Sequence, residues 1–225
     1  MPTHPKVTLV TCKAQPTLFH GEEGLPDELA ARGCDPQVKV WNDPDVDWSD
    51  AGMIVVRSVS DYAQDRRAFL EWTRSLRRVQ NSCDVLDWNS DKHYLKELAA
   101  LGMPTIPTNW LEPAQNLSKH QIHTRFPAFG EFVVKPAVSS GVRDIGRYTT
   151  VDTRQRQAAM RQVQGLLGEG RSVMIQRYVE EIDLHGEISL VFFNGLVSHA
   201  VEKRAALHPS SITDPTVHEA VVTAE

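Results

Sequence analysis

Three short apolar runs near the start limit what this chain can fold into: KVTLVT at residues 6–11, PQVKVW at 36–41 and GMIVV at 52–56. Each is strand-length, and none is long enough to cross a membrane. The third is continuously apolar, the pattern of a parallel strand buried on both faces. Between the first two, residues 22–32 carry Leu25, Leu29 and Ala30 at helical spacing and stop at Gly33. Residues 65–78 read as another helix, with Phe69, Leu70, Trp72 and Leu76 on one face. VQNSCDVLDWN, at 79–89, reads as a short strand and a turn. This β-α-β rhythm predicts a small doubly wound α/β domain over residues 1–88.

The pattern then changes. In SDKHYLKELAALGMPTIPT, Ser90 or Asp91 can cap a helix through Leu95, Leu98 and Ala99, which Gly102 and Pro104 end. Residues 116–130 are polar and read as irregular. EFVVKPAV is a strand, with DIGRYTTV as its hairpin partner, and residues 152–167 form a helix. SVMIQRYV and GEISLVFF are strands, and Asn194-Gly195 turns the second into LVSHAVEK. The second half is therefore α+β, divided here at residues 89–175 and 176–225.

Composition narrows the function. The 225 residues carry a net charge of −5, so no basic footprint for nucleic acid is present. Cys12, Cys34 and Cys83 are odd in number and far apart, which suits reduced thiols in the cytoplasm. The first residues lack the apolar stretch of a signal peptide, and no segment reads as a membrane anchor. His120 and His123 have no evident third ligand, and His185 and His199 stand alone, so zinc is not expected.

FVVKPAVSSGVRDIGRY, residues 132–148, is the first candidate for chemistry. Lys135 ends an apolar strand, and a loop of Ser139, Ser140 and Gly141 follows. Such a loop can turn several N–H groups toward an anion. Alone, it reads first as a hairpin loop beside a surface lysine, and only second as a phosphate-binding device. In the first domain, Arg57 follows a buried strand directly, at the edge where open α/β sheets bind ligands. Arg57 and Ser58 could clamp a substrate carboxylate, and Asp61 could hold an amine or hydroxyl. Helix capping by Ser60 or Asp61 is an equal reading.

Four pieces in order, NSDKHYLKELAALGMPTIPT, FVVKPAVSSGVRDIGRY, VMIQRYVEEIDLHGEISLVFFNG and SHAVEKR, resemble the ATP-grasp superfamily on its glutathione-synthetase-like and ribosomal-modification-ligase-like side. The chain is also similar to the cyclo-ligases of cycloserine biosynthesis, which close a ring on an O-ureido-serine. The resemblance implies a small doubly wound pre-ATP-grasp domain followed by an ATP-grasp fold. It implies that Lys92 and Lys135 contact nucleotide phosphates, under a loop of Ser139, Ser140, Gly141 and Val142. It implies that Gln176, Arg177, Tyr178 and Val179 form the hinge that reads adenine, and that Glu187 holds the ribose. Lys203 would face the substrate, and Arg204 would stabilise an acylphosphate beside Lys135.

The implied activity is an ATP- and Mg²⁺-dependent ligase joining a carboxylate to an amine or thiol through an acylphosphate, on a small amino-acid-like substrate. The family places magnesium carboxylates on late strands, and nothing after Glu202 fits that pattern; Glu219 and Glu225 have no supporting spacing. The metal ligands are therefore unassigned. The chain reads as shortened, its last subdomain incomplete and its exposed apolar face in need of a partner or a second copy. A non-catalytic ATP-binding or assembly subunit is the alternative.

Overall fold

In the computed structural model, residues 4–207 are described. The chain divides into two compact units, Met1–Tyr94 and Leu95–Glu225. The helix expected to open at HEAVVTAE, with Glu219 and Glu225, lies outside the described residues.

The first unit is built on a four-stranded parallel sheet of order β2-β1-β3-β4. Its strands are β1 (Lys6–Thr11), β2 (Asp35–Val40), β3 (Met53–Ser58) and β4 (Val79–Gln80). All three pairings are parallel. Helix α1 (Leu25–Ala31) carries the chain from β1 outward to β2, and α2 (Arg66–Ser75) carries it from β3 the other way to β4. Right-handed crossovers in opposite directions put the two helices on opposite faces, so the sheet is doubly wound. Phe69 and Leu70 of α2 pack on Val10, Ile54 and Trp41. Asp65 caps α2 by accepting from the Ala68 N–H at 2.9 Å.

Two features at the end of the first unit differ from the sequence expectation. Residues 83–89 are not a turn but a helix, α3 (Cys83–Asn89), whose N-cap Ser82 accepts from Val85 N–H. Ser90, expected to begin the next helix, instead closes α3, donating its hydroxyl to the Asp87 carbonyl at 3.0 Å. Asp91 accepts from the His93 N–H at 3.1 Å, just ahead of α4 (Tyr94–Ala100). Helix α4 ends as the sequence predicts. Gly102 N–H reaches Ala99 C=O and Met103 N–H reaches Leu98 C=O, the paired bonds of a Schellman motif.

The second unit centres on an antiparallel sheet of order β5-β8-β6-β7. Its strands are β5 (Thr108–Leu111), β6 (Glu131–Pro136), β7 (Gly146–Thr149) and β8 (Val173–Arg177). Period-two alternation sends Phe132 and Val134 of β6, and Val173 and Ile175 of β8, into one core. Helix α6 (Thr153–Gly168) covers that core with Ala159, Val163 and Leu166. The alternate residues, Val133 and Lys135 of β6 and Gln176 of β8, face the other side.

The segment read as irregular holds a short helix, α5 (Lys119–His123), which contributes Ile122 to the core. Its capping box, Ser118 with Gln121, satisfies two end groups reciprocally. Asp152 caps α6, accepting from Arg154 N–H at 2.7 Å and Gln155 N–H at 3.4 Å. Asp152→Ala should therefore cost about 1 kcal/mol in chemical denaturation. An unchanged midpoint would mean that solvent satisfies those donors equally well.

After β8, a short helix α7 (Glu181–His185) leads to the hairpin β9 (Glu187–Phe193) and β10 (Leu196–Lys203). Asn194 and Gly195 both take positive φ, 51° and 79°, as a two-residue primed turn requires. The hairpin is a separate two-stranded sheet. Ile188, Leu190, Phe192 and Val197 are exposed on it. Among the described residues, no helix is long and apolar enough to cross a membrane.

Candidate functional site

The second unit contains a cleft of about 370 Å³, in the size range of small-molecule sites. The sheet face opposite the α6 core forms its floor. Val133 and Lys135 enter from β6, and Gln176 from β8. The segment Arg177–Val179 and Ile182 form one wall. Gly141, Val142 and Ile145, from the connection between β6 and β7, form another. Glu187, Lys203 and Arg204 enter from the outer end of the hairpin.

Geometry fixes several of these groups. Glu187 and Lys203 are directly opposed across β9 and β10, so both point to one face. Gly186, just before Glu187, leaves no room for a side chain: a Cβ there would lie 2.3 Å from the Lys203 carbonyl oxygen. The Gln176 amide donates to Thr108 Oγ1 at 2.7 Å, and Thr108 donates in turn to the Ile106 carbonyl at 2.8 Å. That chain fixes the amide orientation and leaves the Gln176 oxygen as an acceptor. Asp144 anchors the base of the β6–β7 connection, through its carbonyl to Gln162 at 2.7 Å and its carboxylate to Arg171 at 2.9 Å.

The cleft is rich in cations. Burial lowers the pKa of Lys135, and the Glu187 carboxylate partly opposes that shift. A desolvated ammonium in a cleft that Lys203 and Arg204 also line is a site that gains from an anion. Among the described residues, Glu187 is the single carboxylate lining the cleft. Among the described residues, no three His, Cys, Asp or Glu side chains come together as a metal site.

Of the residues singled out in the sequence, the structure brings Lys135, Gly141, Val142, Gln176, Arg177, Tyr178, Val179, Glu187, Lys203 and Arg204 around this cleft. Ser139 is buried and Ser140 half-buried, and neither lines it. Lys92 lies in the first unit, in the turn before α4. Arg57, Ser58 and Asp61 also lie there, at the carboxyl ends of the parallel strands. Arg57 is paired with Glu22, and Ser58 donates to Glu22 at 2.6 Å. Asp61 accepts from the Trp41 indole N–H at 2.7 Å, and the side chains of Ser60 and Asp61 make no helix cap. Four apolar residues that line the cleft, Ile106, Val133, Ile145 and Ile182, carry no motif in the sequence. Their only sequence signal is adjacency to polar candidates.

A family model for the N-terminal domain of D-cycloserine synthetase DcsG matches residues 7–86. Cycloserine biosynthesis protein DcsG of Streptomyces lavendulae is 37% identical over 195 residues, covering 84% of this chain and 61% of that protein. The chain thus spans about three fifths of the length of that curated relative. The crystal structure of D-cycloserine synthetase DcsG matches with a TM-score of 0.79 and 33% identity, over 90% of this chain and 69% of that one. A RimK domain ATP-grasp protein from Sphaerobacter thermophilus matches at TM-score 0.63 and 15% identity, over 93% and 76% of the two chains. The fold is thus the ATP-grasp fold, preceded by its parallel α/β domain. Within that superfamily, the chain belongs to the family of D-cycloserine synthetase DcsG.

Proposed function

We propose that the second unit binds ATP in the cleft and that the chain is the nucleotide-binding part of a ligase of the cycloserine-forming type. One observation carries this reading: a single cleft gathers the strand-end lysine, the loop, the hinge and the hairpin charges. The adenine lies against Arg177–Val179, whose backbone groups meet the purine edge. The Gln176 oxygen is a suitable acceptor for the exocyclic amine. Glu187 accepts from the ribose hydroxyls. Lys135, Gly141 and Val142 hold the phosphates, with Lys203 and Arg204 toward the transferring end.

The reaction follows the superfamily's chemistry. A substrate carboxylate oxygen attacks the γ-phosphorus, forming an acylphosphate and releasing ADP. The oxygen-bound ureido nitrogen of the same molecule then attacks the acyl carbon, losing its proton, expelling phosphate and closing a five-membered ring; hydrolysis of the carbamoyl group on that nitrogen releases carbon dioxide and ammonia. The cations spread the charge that moves onto the bridging oxygen and the phosphoryl group. Lys92 as a nucleotide contact, and Arg57, Ser58 and Asp61 as substrate contacts, are roles that the family resemblance implies for residues of the first unit. The substrate class, an O-ureido amino acid, comes from the kinship with cycloserine synthetase.

The test is thermal melting with Mg·ATP, followed by ADP release with an amino-acid panel that includes O-ureido-serine. At a hundredfold excess over Kd, binding should add about 2.7 kcal/mol of stability. No stabilisation at any ATP concentration overturns the nucleotide reading. Stabilisation without ADP release points to the alternative, an ATP-binding subunit without its own turnover.

A further inference from the structure

Arg147 is a buried cation that the cleft does not use directly. It sits on β7 directly across from Val133, on the cleft's face of the sheet, yet it does not line the cavity. Its side chain is 3% exposed. A guanidinium has five N–H donors, and here every one is occupied. Nε donates to Glu131 at 2.8 Å, and Nη2 donates to the same carboxylate oxygen. Nη1 and Nη2 donate to the two oxygens of Asp183 at 2.8 and 2.7 Å. The last Nη1 hydrogen goes to the Leu207 carbonyl at 3.0 Å.

The Tyr178 ring lies 3.5 Å from the guanidinium carbon, in cation–π contact, and its hydroxyl donates to Asp183 at 2.5 Å. Tyr178 N–H also bonds the carbonyl of Glu131, the residue that holds Arg147 from the other side. One guanidinium therefore ties the start of β6, the hinge at Tyr178, helix α7 and the segment after β10. Three of these segments supply cleft walls, through Tyr178 and Val179, Ile182, and Ala206 with Leu207.

The geometry points to Arg147 as the positioning residue for the base-reading end of the cleft: it sets the hinge and α7 so that the site distinguishes a nucleotide from a bare polyphosphate. This rests on the nucleotide reading above. Lysine cannot substitute, because its three donors on a flexible stem cannot bind two carboxylates and a carbonyl while stacking on a ring. The contacts of Arg147 go to Glu131, Asp183, Leu207 and the Tyr178 ring, not to the phosphate-facing Lys135, Lys203 and Arg204. Loss of the clasp should therefore weaken the two ends of the cleft unequally.

Two measurements on the full chain decide it. Amide hydrogen exchange of Arg147→Met should be faster over residues 178–186 and unchanged in α6. Calorimetric titration should show ATP weakened about tenfold, while inorganic tripolyphosphate stays within about twofold. If Arg147→Met does not fold, Arg147→Lys should show the same split at smaller size. Unchanged exchange over 178–186, or equal loss of both ligands, overturns the proposal. If the unaltered chain does not prefer ATP to tripolyphosphate, the adenine role of the hinge is wrong, and the exchange result alone then decides whether Arg147 holds the hinge.

Discussion

Lys135→Met should lower ATP affinity by about tenfold to a hundredfold, the worth of one charge-assisted contact, without lowering the stability of the ligand-free chain. The two effects differ in sign because the ammonium is held at a loss until an anion arrives. Burial lowers its pKa in the folded chain below the ordinary 10.5. Between those two values the unfolded chain binds more protons, so stability rises with pH across that window. Below it, the penalty of the buried charge is present in full. Methionine removes the penalty and should flatten that rise. Bound phosphate favours the charged form, so ATP affinity should fall as pH climbs through the same window. Melting curves and titrations across alkaline pH check both. A less stable ligand-free variant with intact ATP affinity would make Lys135 a structural ion partner.

Gly186→Ala should be the most damaging single-methyl change in the second unit. Gly186 has φ 70° and ψ −163°, a region essentially restricted to glycine. The added Cβ would also collide with the Lys203 carbonyl at 2.3 Å, and backbone cannot swing aside as a side-chain end can. Relief requires the start of β9 to part from the end of β10, which displaces Glu187 and Lys203 together. We expect a loss of roughly 2–4 kcal/mol and at least a tenfold fall in ATP affinity. Gly165→Ala is the control. It lies exposed within α6 with nothing within 4 Å of its Cβ, and should stabilise by about 0.5–1 kcal/mol. Denaturant unfolding and ATP titration of both variants measure the contrast. Equal behaviour would remove any special constraint at Gly186.

The long elements were legible because their periodicity is strong. KVTLVT is β1 to the residue, and Asn194-Gly195 is the turn it promised. Helices α3 and α5 were not legible. Each is too short for an apolar stripe, and each is announced by one capping serine, Ser82 or Ser118, inside a polar stretch. The cleft was partly legible, since a lysine at a strand end and a glutamate at a strand start have places that topology fixes. The Arg147 clasp was not. Glu131, Arg147 and Asp183 look like solvated charges along the chain, and only the pairing of β6 with β7 and the return of α7 bring them together. Likewise, Arg57 stood out as a free clamp, while its partner Glu22 is 35 residues away.

The hairpin that carries Glu187 and Lys203 is held by one strand pairing, whereas Lys135 is on β6, bonded on both edges within a four-stranded sheet. Two-stranded pieces are weak on their own. The cleft therefore joins a firm half to one with its own, lower free energy of local opening. A ligand touching both halves is stabilised against escape by closing the weaker one, and it raises that half's opening energy by its binding energy. Occupancy then governs how long the outer wall persists, so the residence time of such a ligand is tied to the lifetime of a single β-ladder.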